Sequence, residues 1–240
     1  MSLDFDRFGC VTFDCYGTLI DWEQGILRAL RPIFDAHSIH ARDAELLRNY
    51  AELEAQLEAA DYRSYRNILE DIVRGMGERF GLRPSDEEIH SLPNSLPNWE
   101  PFSDTCAALQ RLKTKYQLAI ISNTDDDLFA GTARNLTIDF DYVITAQQAK
   151  SYKPSHHNFQ LAMEKIGLPA DRILHVGQSI YHDVVPARSL GLATVWVTRR
   201  RVKEGVAATL PASGQPDLEV PDLKTLADVA GVKNSSMQPV

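Results

Sequence analysis

The chain has few cysteines, no long apolar run and no excess of positive charge, and each absence removes a class of function. Cys10, Cys15 and Cys106 are the only cysteines in 240 residues, an odd number without metal-like spacing. That speaks against a disulfide framework and a cysteine metal site, and matches a reduced, cytoplasmic compartment. No stretch approaches the roughly 18 apolar residues that span a bilayer. Met1-Ser2-Leu3-Asp4 lacks the basic, apolar character of a signal region. Lys and Arg total 25 against 33 Asp and Glu, a net charge of −8, so nucleic acid is not expected as a partner. The one basic run, Arg199-Arg200-Arg201 with Lys203, reads as a solvated loop after a strand. Internal repeats and low-complexity tracts are also missing. What is present is a 44% hydrophobic composition, enough to bury a large core.

Two grammars divide the sequence. From about residue 22 to 98 the pattern is helical. Leu46, Tyr50, Leu53 and Leu57 recur at spacings of three and four, as do Ile68, Ile72, Val73 and Met76. Gly75, Gly77, Gly81 and Pro84 break this block, and Ser85-Asp86-Glu87-Glu88 reopens a helix with a serine cap. Pro93, Pro97 and Pro101 bracket Trp99 as a hinge or linker. Outside the block, strands alternate with helices. Apolar runs at 9–13, 118–121, 142–144, 173–176 and 193–197 read as strands. Helices are expected from Ser103 to about Lys115, from Asp125 or Asp126, from Pro154 to Ile166, and up to Leu190. This predicts an α/β fold, a Rossmann-like parallel sheet covered on both faces, with an inserted helical cap. The expected boundaries are a core of residues 1–20 and 99–240 and a cap of 21–98.

Chemistry-bearing residues fall where the strands end. Asp14 follows the first strand and Gly17 turns the chain, so the carboxylate lies at the carboxyl edge where open α/β sheets bind ligands. A carboxylate there can act as a nucleophile, splitting one hard displacement into two easier ones. Ser122-Asn123, Lys153-Pro154 and Asp183 occupy corresponding positions after later strands or at helix starts. Taken singly, each has a plain reading: a helix cap, a surface lysine, a first-turn aspartate. Taken together, they are expected to converge on Asp14.

These four segments resemble the motifs of the haloacid dehalogenase superfamily of aspartate-nucleophile hydrolases, over nearly the whole chain. The resemblance implies Asp14 as nucleophile, Thr18 orienting it, Ser122 and Asn123 in the second motif, Lys153 in the third and Asp183 in the fourth. Phosphatases of that superfamily carry a second aspartate two residues after the nucleophile, to protonate the alkoxide. Here that residue is Tyr16, a phenol of pKa about 10 and a poor substitute. They also bind Mg²⁺ through an aspartate after the glycine of the fourth motif, where this chain has Gln178.

The Asp-x-Tyr-Gly-Thr form is instead similar to the 2-haloacid dehalogenases, whose halide leaves without a proton. That branch implies no metal or other cofactor, a small carboxylate substrate held by Ser122, and a leaving-group site that includes Tyr16, Asn123 and a cap arginine, aligned here with Arg48. The branch has a tyrosine six residues after the motif lysine, where this chain has Phe159. In place of its fourth-motif Ser-Ser-Asn stands Gly177-Gln178-Ser179 with one extra residue before Asp183, so Ser179 replaces the asparagine. His156 and His157 read as solvated, and His182 is open between a tuning and a solvated role. A second reading keeps the machinery and changes the leaving group to the ring nitrogen of azetidine-2-carboxylate. A third, a binding domain without catalysis, is disfavoured because Asp14, Lys153 and Asp183 survive together. A homodimer through an apolar patch on the cap helices is left open.

Overall fold

The computed structural model describes residues 3–199 and 212–233. Its centre is a parallel sheet of β1 (Cys10–Phe13), β2 (Gln117–Ser122), β3 (Tyr142–Thr145), β4 (Ile173–Gly177), β5 (Ala193–Val197) and β6 (Leu218–Val220). The strand order is β3-β2-β1-β4-β5-β6, a doubly wound sheet that reverses direction beside β1. Val11 pairs with Leu118 on one side and Leu174 on the other. All four residues of β1 are buried, as a central parallel strand covered on both faces requires.

Four helices lie between β1 and β2: α1 (Trp22–Ala36), α2 (Asp43–Glu58), α3 (Tyr65–Phe80) and α4 (Asp86–Ser95). Asp21 caps α1, Ser64 caps α3, and Ser85 with Glu88 closes a capping box on α4. The interior of this block is Ile26, Leu30, Phe34, Leu46, Tyr50, Ile68, Leu69, Ile72 and Leu92, each under 2% exposed. Burial of such a side chain contributes about 1.5–3 kcal/mol. Contrary to expectation, α3 runs through Gly75 and Gly77 and stops only at Gly81, which is left-handed at φ 72°. The segment around Trp99 is no loose hinge either. Trp99 is 4% exposed, stacks edge-on against Tyr16 at 5.8 Å and donates its indole N–H to Ser95.

The remaining helices cover the sheet: α5 (Thr105–Lys113), α6 (Asp126–Leu136), the single turn α7 (Ala146–Ala149), α8 (His156–Ile166), α9 (Val185–Ser189) and α10 (Leu223–Val229). Two expected caps work differently. Asp104, not Ser103, precedes α5 and makes no side-chain cap bond there. Its carboxylate instead accepts the N–H groups of Leu223 and Lys224 and so caps α10. Asp125 precedes α6 but turns its carboxylate across to the N–H groups of Tyr65 and Arg66, at 3.0 and 2.9 Å. A core aspartate thus supplies orphan donors at the start of α3, in the helical insertion. The three cysteines are free. Among the described residues the exposed large apolar side chains are Val185 and Val229, neither of them on the cap helices. No helix there is long and apolar enough to cross a membrane.

Candidate active site

The chain leaves β1 through Asp14, whose N–H donates to Val176 O at 3.0 Å. Gly17, at φ 95°, turns it back so that Leu19 and Ile20 both donate to Cys15 O. This loop brings Thr18 Oγ1 within 2.6 Å of Asp14 Oδ2. Thr18 is itself fixed twice. Its hydroxyl accepts the Gln178 N–H at 2.9 Å, and its carbonyl accepts two N–H groups of Arg199. Arg199 is therefore not part of a solvated loop. It is 8% exposed, pairs with Asp104 at 2.6 Å and lies over the Phe102 ring at 4.1 Å. Arg200, Arg201 and Lys203 fall outside the described residues.

Lys153 comes in from the segment before α8, 2% exposed, with its backbone clasped by Asn123. The Asn123 Oδ1 accepts the Lys153 N–H at 2.7 Å, and its Nδ2 donates to the Lys153 carbonyl at 3.1 Å. Nζ then donates to Asp14 Oδ1 at 2.8 Å and to Asp183 Oδ1 at 2.7 Å. Asp183 sits on a wide π turn, Ile180–Val184, rather than on a regular helix start. The turn absorbs the extra residue of this segment, as π turns at functional sites do. Ser179 caps it: its hydroxyl accepts the His182 N–H, and its own N–H donates to Asp183 Oδ2. Gly177 permits the fit, since a Cβ there would lie 2.4 Å from Asp183 Cγ. Behind Asp183, His175 Nε2 stands 3.3 Å from Oδ1 while Nδ1 is 2.8 Å from Thr12 Oγ1.

Two carboxylates share one ammonium, and burial decides the balance. Desolvation pushes the Asp14 carboxyl above its usual range, and the charge of Asp183 adds to that, against the opposing pull of Lys153 and Thr18. Lys153 and Thr18 favour the anion, but dehydration of the site outweighs them. Asp183 goes the other way. Despite burial, Lys153 and His175 keep it well below the carboxylate range. Burial disfavours the Lys153 charge, but the two aspartates raise its pKa above the usual lysine value.

These groups enclose a cavity of about 40 Å³. Asp14, Tyr16, Ser122, Asn123, Lys153, Gln178, Ser179, His182 and Asp183 line it from the sheet side. A second cavity of about 340 Å³ shares the Trp22 and Gln178 walls. The Ser122 hydroxyl is buried and has no hydrogen-bond partner among the described residues. Tyr16 points its hydroxyl to Thr132 Oγ1 at 2.9 Å, and burial raises its pKa, so it is no proton donor to Asp14 chemistry.

Two expected residues lie elsewhere. Arg48 is exposed on the outer face of α2, because Leu46, Leu47, Tyr50 and Glu54 take the inward face. Phe159 is fully buried under the sheet, edge-on to His175 at 5.0 Å, and does not line the cavity. In place of an arginine, the helical insertion contributes Trp22, Glu54, Glu58 and Tyr65. Sequence reasoning missed all four. The available signal was Glu54 itself, one helical turn after Tyr50 in an apolar stripe.

The donor set does not suit a hard divalent cation. Each Asp14 oxygen already has a partner, the Lys153 ammonium stands between the two aspartates, and Gln178 offers an amide. Among the described residues no group of three or more His, Cys, Asp or Glu is arranged to hold a metal ion.

Comparison with known proteins identifies relatives of this chain. The chain is 28% identical over 226 residues to (S)-2-haloacid dehalogenase H-109 of Pseudomonas putida, covering 91% of this chain and 96% of the relative. It is also 28% identical over 236 residues to the (S)-2-haloacid dehalogenase of Pseudomonas sp. (strain YL), covering 91% and 93%. The structure of L-2-haloacid dehalogenase from Xanthobacter autotrophicus superposes with a TM-score of 0.79 at 20% identity, over 93% of this chain and 98% of that one. The haloacid dehalogenase-like hydrolase family matches residues 8–191, and with that span the chain belongs to this family of hydrolases.

Proposed function

We propose that this hydrolase displaces a leaving group from the α-carbon of a small 2-substituted carboxylate, as its 2-haloacid dehalogenase relatives do, through an ester on Asp14. The helical insertion, 21–98, serves as a cap over a core formed by 1–20 and 99–240. The observation that carries the reading is the setting of Asp14. Its two oxygens are aligned by Thr18 and Lys153, while the residue two positions on, Tyr16, is turned away to Thr132. Nucleophile and support are thus complete, and the acid that alkoxide departure from phosphorus needs is missing at its usual place.

In the first step an Asp14 oxygen bonds to the α-carbon and the leaving group departs with the electron pair. The unpartnered Ser122 hydroxyl donates to the substrate carboxylate, helped by N–H groups of the loop after Asp14. In the second step water attacks the side-chain carbonyl carbon of the ester, oriented by the Lys153–Asp183 pair, and releases a 2-hydroxy acid. The test is a single turnover on 2-chloropropionate in oxygen-18 water. Label is expected in Asp14, and Asp14→Asn is expected to abolish turnover. Label in the product alone, with none in Asp14, would overturn the covalent route.

The acidic side chains Glu54 and Glu58 that line the cavity favour a second reading, opening of azetidine-2-carboxylate, whose ring ammonium would pair with Glu54 once that carboxyl ionises. Chloride release against ring-opened product decides between the two.

A further inference from the structure

The cap wall of the cavity poses a chemical problem that the dehalogenase reading leaves unsolved. A halide or any other anion leaving Asp14's substrate meets no arginine there. Among the described residues the only cation lining the cavity, Lys153, is committed to Asp14 and Asp183. The cap instead presents two carboxyls, Glu54 and Glu58. Glu54 is buried, and both tyrosine hydroxyls near it converge on one oxygen: Tyr65 donates to Oε1 at 2.6 Å and Tyr50 at 3.0 Å. Oε2 has no hydrogen bond among the described residues, and the residue lines the cavity. Glu58 receives the Asn123 amide at 3.3 Å.

Ionised, these groups would put four carboxylates around one ammonium in about 40 Å³ and would repel a departing anion. Protonated, they become donors. Burial holds the Glu54 proton up to about 7, opposed by the two tyrosine hydroxyls and reinforced by the charge of Asp14. Burial first, and the Glu54 charge when that group is ionised, raise the Glu58 carboxyl well above its ordinary value. His182, from the core side, is pushed down to about 4 by burial and stays neutral over the same range. Asp183 and Lys153 complete the charged groups that face this wall.

Resting on the Asp14 ester route, we propose that Glu54 is a proton donor to the leaving atom, so that this site is built for 2-substituted carboxylates whose leaving atom is a strong proton acceptor, fluoride among the halides. The step balances. Asp14 Oδ bonds to the α-carbon, the carbon–leaving-atom bond breaks, its electron pair goes to that atom, and the Glu54 proton follows. Hydrolysis of the ester by water then frees one proton, which restores Glu54. The two halves are coupled by charge. The Asp14 anion holds the Glu54 proton in place, and its charge is consumed as it attacks, so the proton loosens when the leaving atom gains electrons. The orphan Ser122 hydroxyl in the same cavity marks where the substrate's own carboxylate sits.

The test is a leaving-group series: 2-bromo-, 2-chloro- and 2-fluoropropionate, with wild type and Glu54→Gln. The variant is expected to lose about a hundredfold more rate on the fluoride than on the bromide, in line with general-acid assistance. Wild-type rate on 2-fluoropropionate is expected to fall as pH rises above about 7. That limb should be weaker on 2-bromopropionate, a comparison that does not depend on the variant folding. Equal losses on all three substrates, or no difference between the wild-type profiles, overturns the role of Glu54 while leaving the ester route standing. An unlabelled Asp14 with every substrate removes the ester route and this proposal with it.

Discussion

On the ester route proposed above, Asp14 and Lys153 carry reactivity and pH dependence as one pair. Asp14 must be an anion to attack, and burial already works against that form. Removing the ammonium 2.8 Å away leaves only Thr18 to favour it. Lys153→Ala is therefore expected to slow turnover strongly, with the acid limb of its rate profile moved up by about 1–3 pH units. Residual activity should then recover as pH rises, because more Asp14 ionises. A limb that stays in place would mean that Lys153 positions Asp14 without controlling its charge. Residues of this kind were legible in the sequence, because strand ends fix where Asp14, Ser122, Lys153 and Asp183 project. Residues on the helical insertion were not. Facing side chains decide which helix borders the cavity, and although the stripe of Leu46 and Tyr50 puts Glu54 inward and Arg48 outward, no strand end says that α2 lies over Asp14. The inward face follows from Leu46 and Tyr50, both fully buried, and Glu54 lies one turn beyond Tyr50.

At the scale of elements, caps that cross between segments hold the site together. Asp125 gives up its own helix to accept two N–H groups of α3, and Tyr65 at that position donates its hydroxyl to Glu54. Asp125→Ala leaves buried donors without acceptors, which costs about 1–3 kcal/mol. For a chain of this size a loss of that order lowers the melting temperature by roughly 2–4 °C per kcal/mol. Thermal unfolding followed by circular dichroism measures it, and a melt identical to wild type would show the contact to be inconsequential. The sequence announces Asp125 as a helix start but not that its carboxylate serves another helix. Two further elements escaped for a local reason. β6 is three residues long and α10 seven, and neither is long enough to show a period. The π turn at Ile180–Val184 was visible only as one residue too many.

Across the whole molecule the alternation of apolar strands and helices sufficed to predict a parallel sheet with both faces covered, while the strand order that makes it doubly wound came from the structure. With Lys153 seated between the two aspartates, wild-type turnover of 2-chloropropionate is expected to be the same with and without EDTA. Loss of activity on chelation would return the chain to metal-dependent chemistry and overturn the roles given to Tyr16 and Gln178. The two halves of the molecule also bear on timing. A void of about 40 Å³ has room for a few water molecules and is far below the several hundred Å³ of ordinary ligand sites. On the Asp14 route proposed above, a substrate is expected to enter as the helical insertion moves away from the sheet. Such an excursion gives up both Asp125 bonds together with the Asn123–Glu58, Arg66–Asp127 and Tyr152–Arg63 contacts, so the open form is expected to be a small minority. The clasp that would shield an Asp14 ester from bulk solvent is therefore also expected to set how long a product waits to depart.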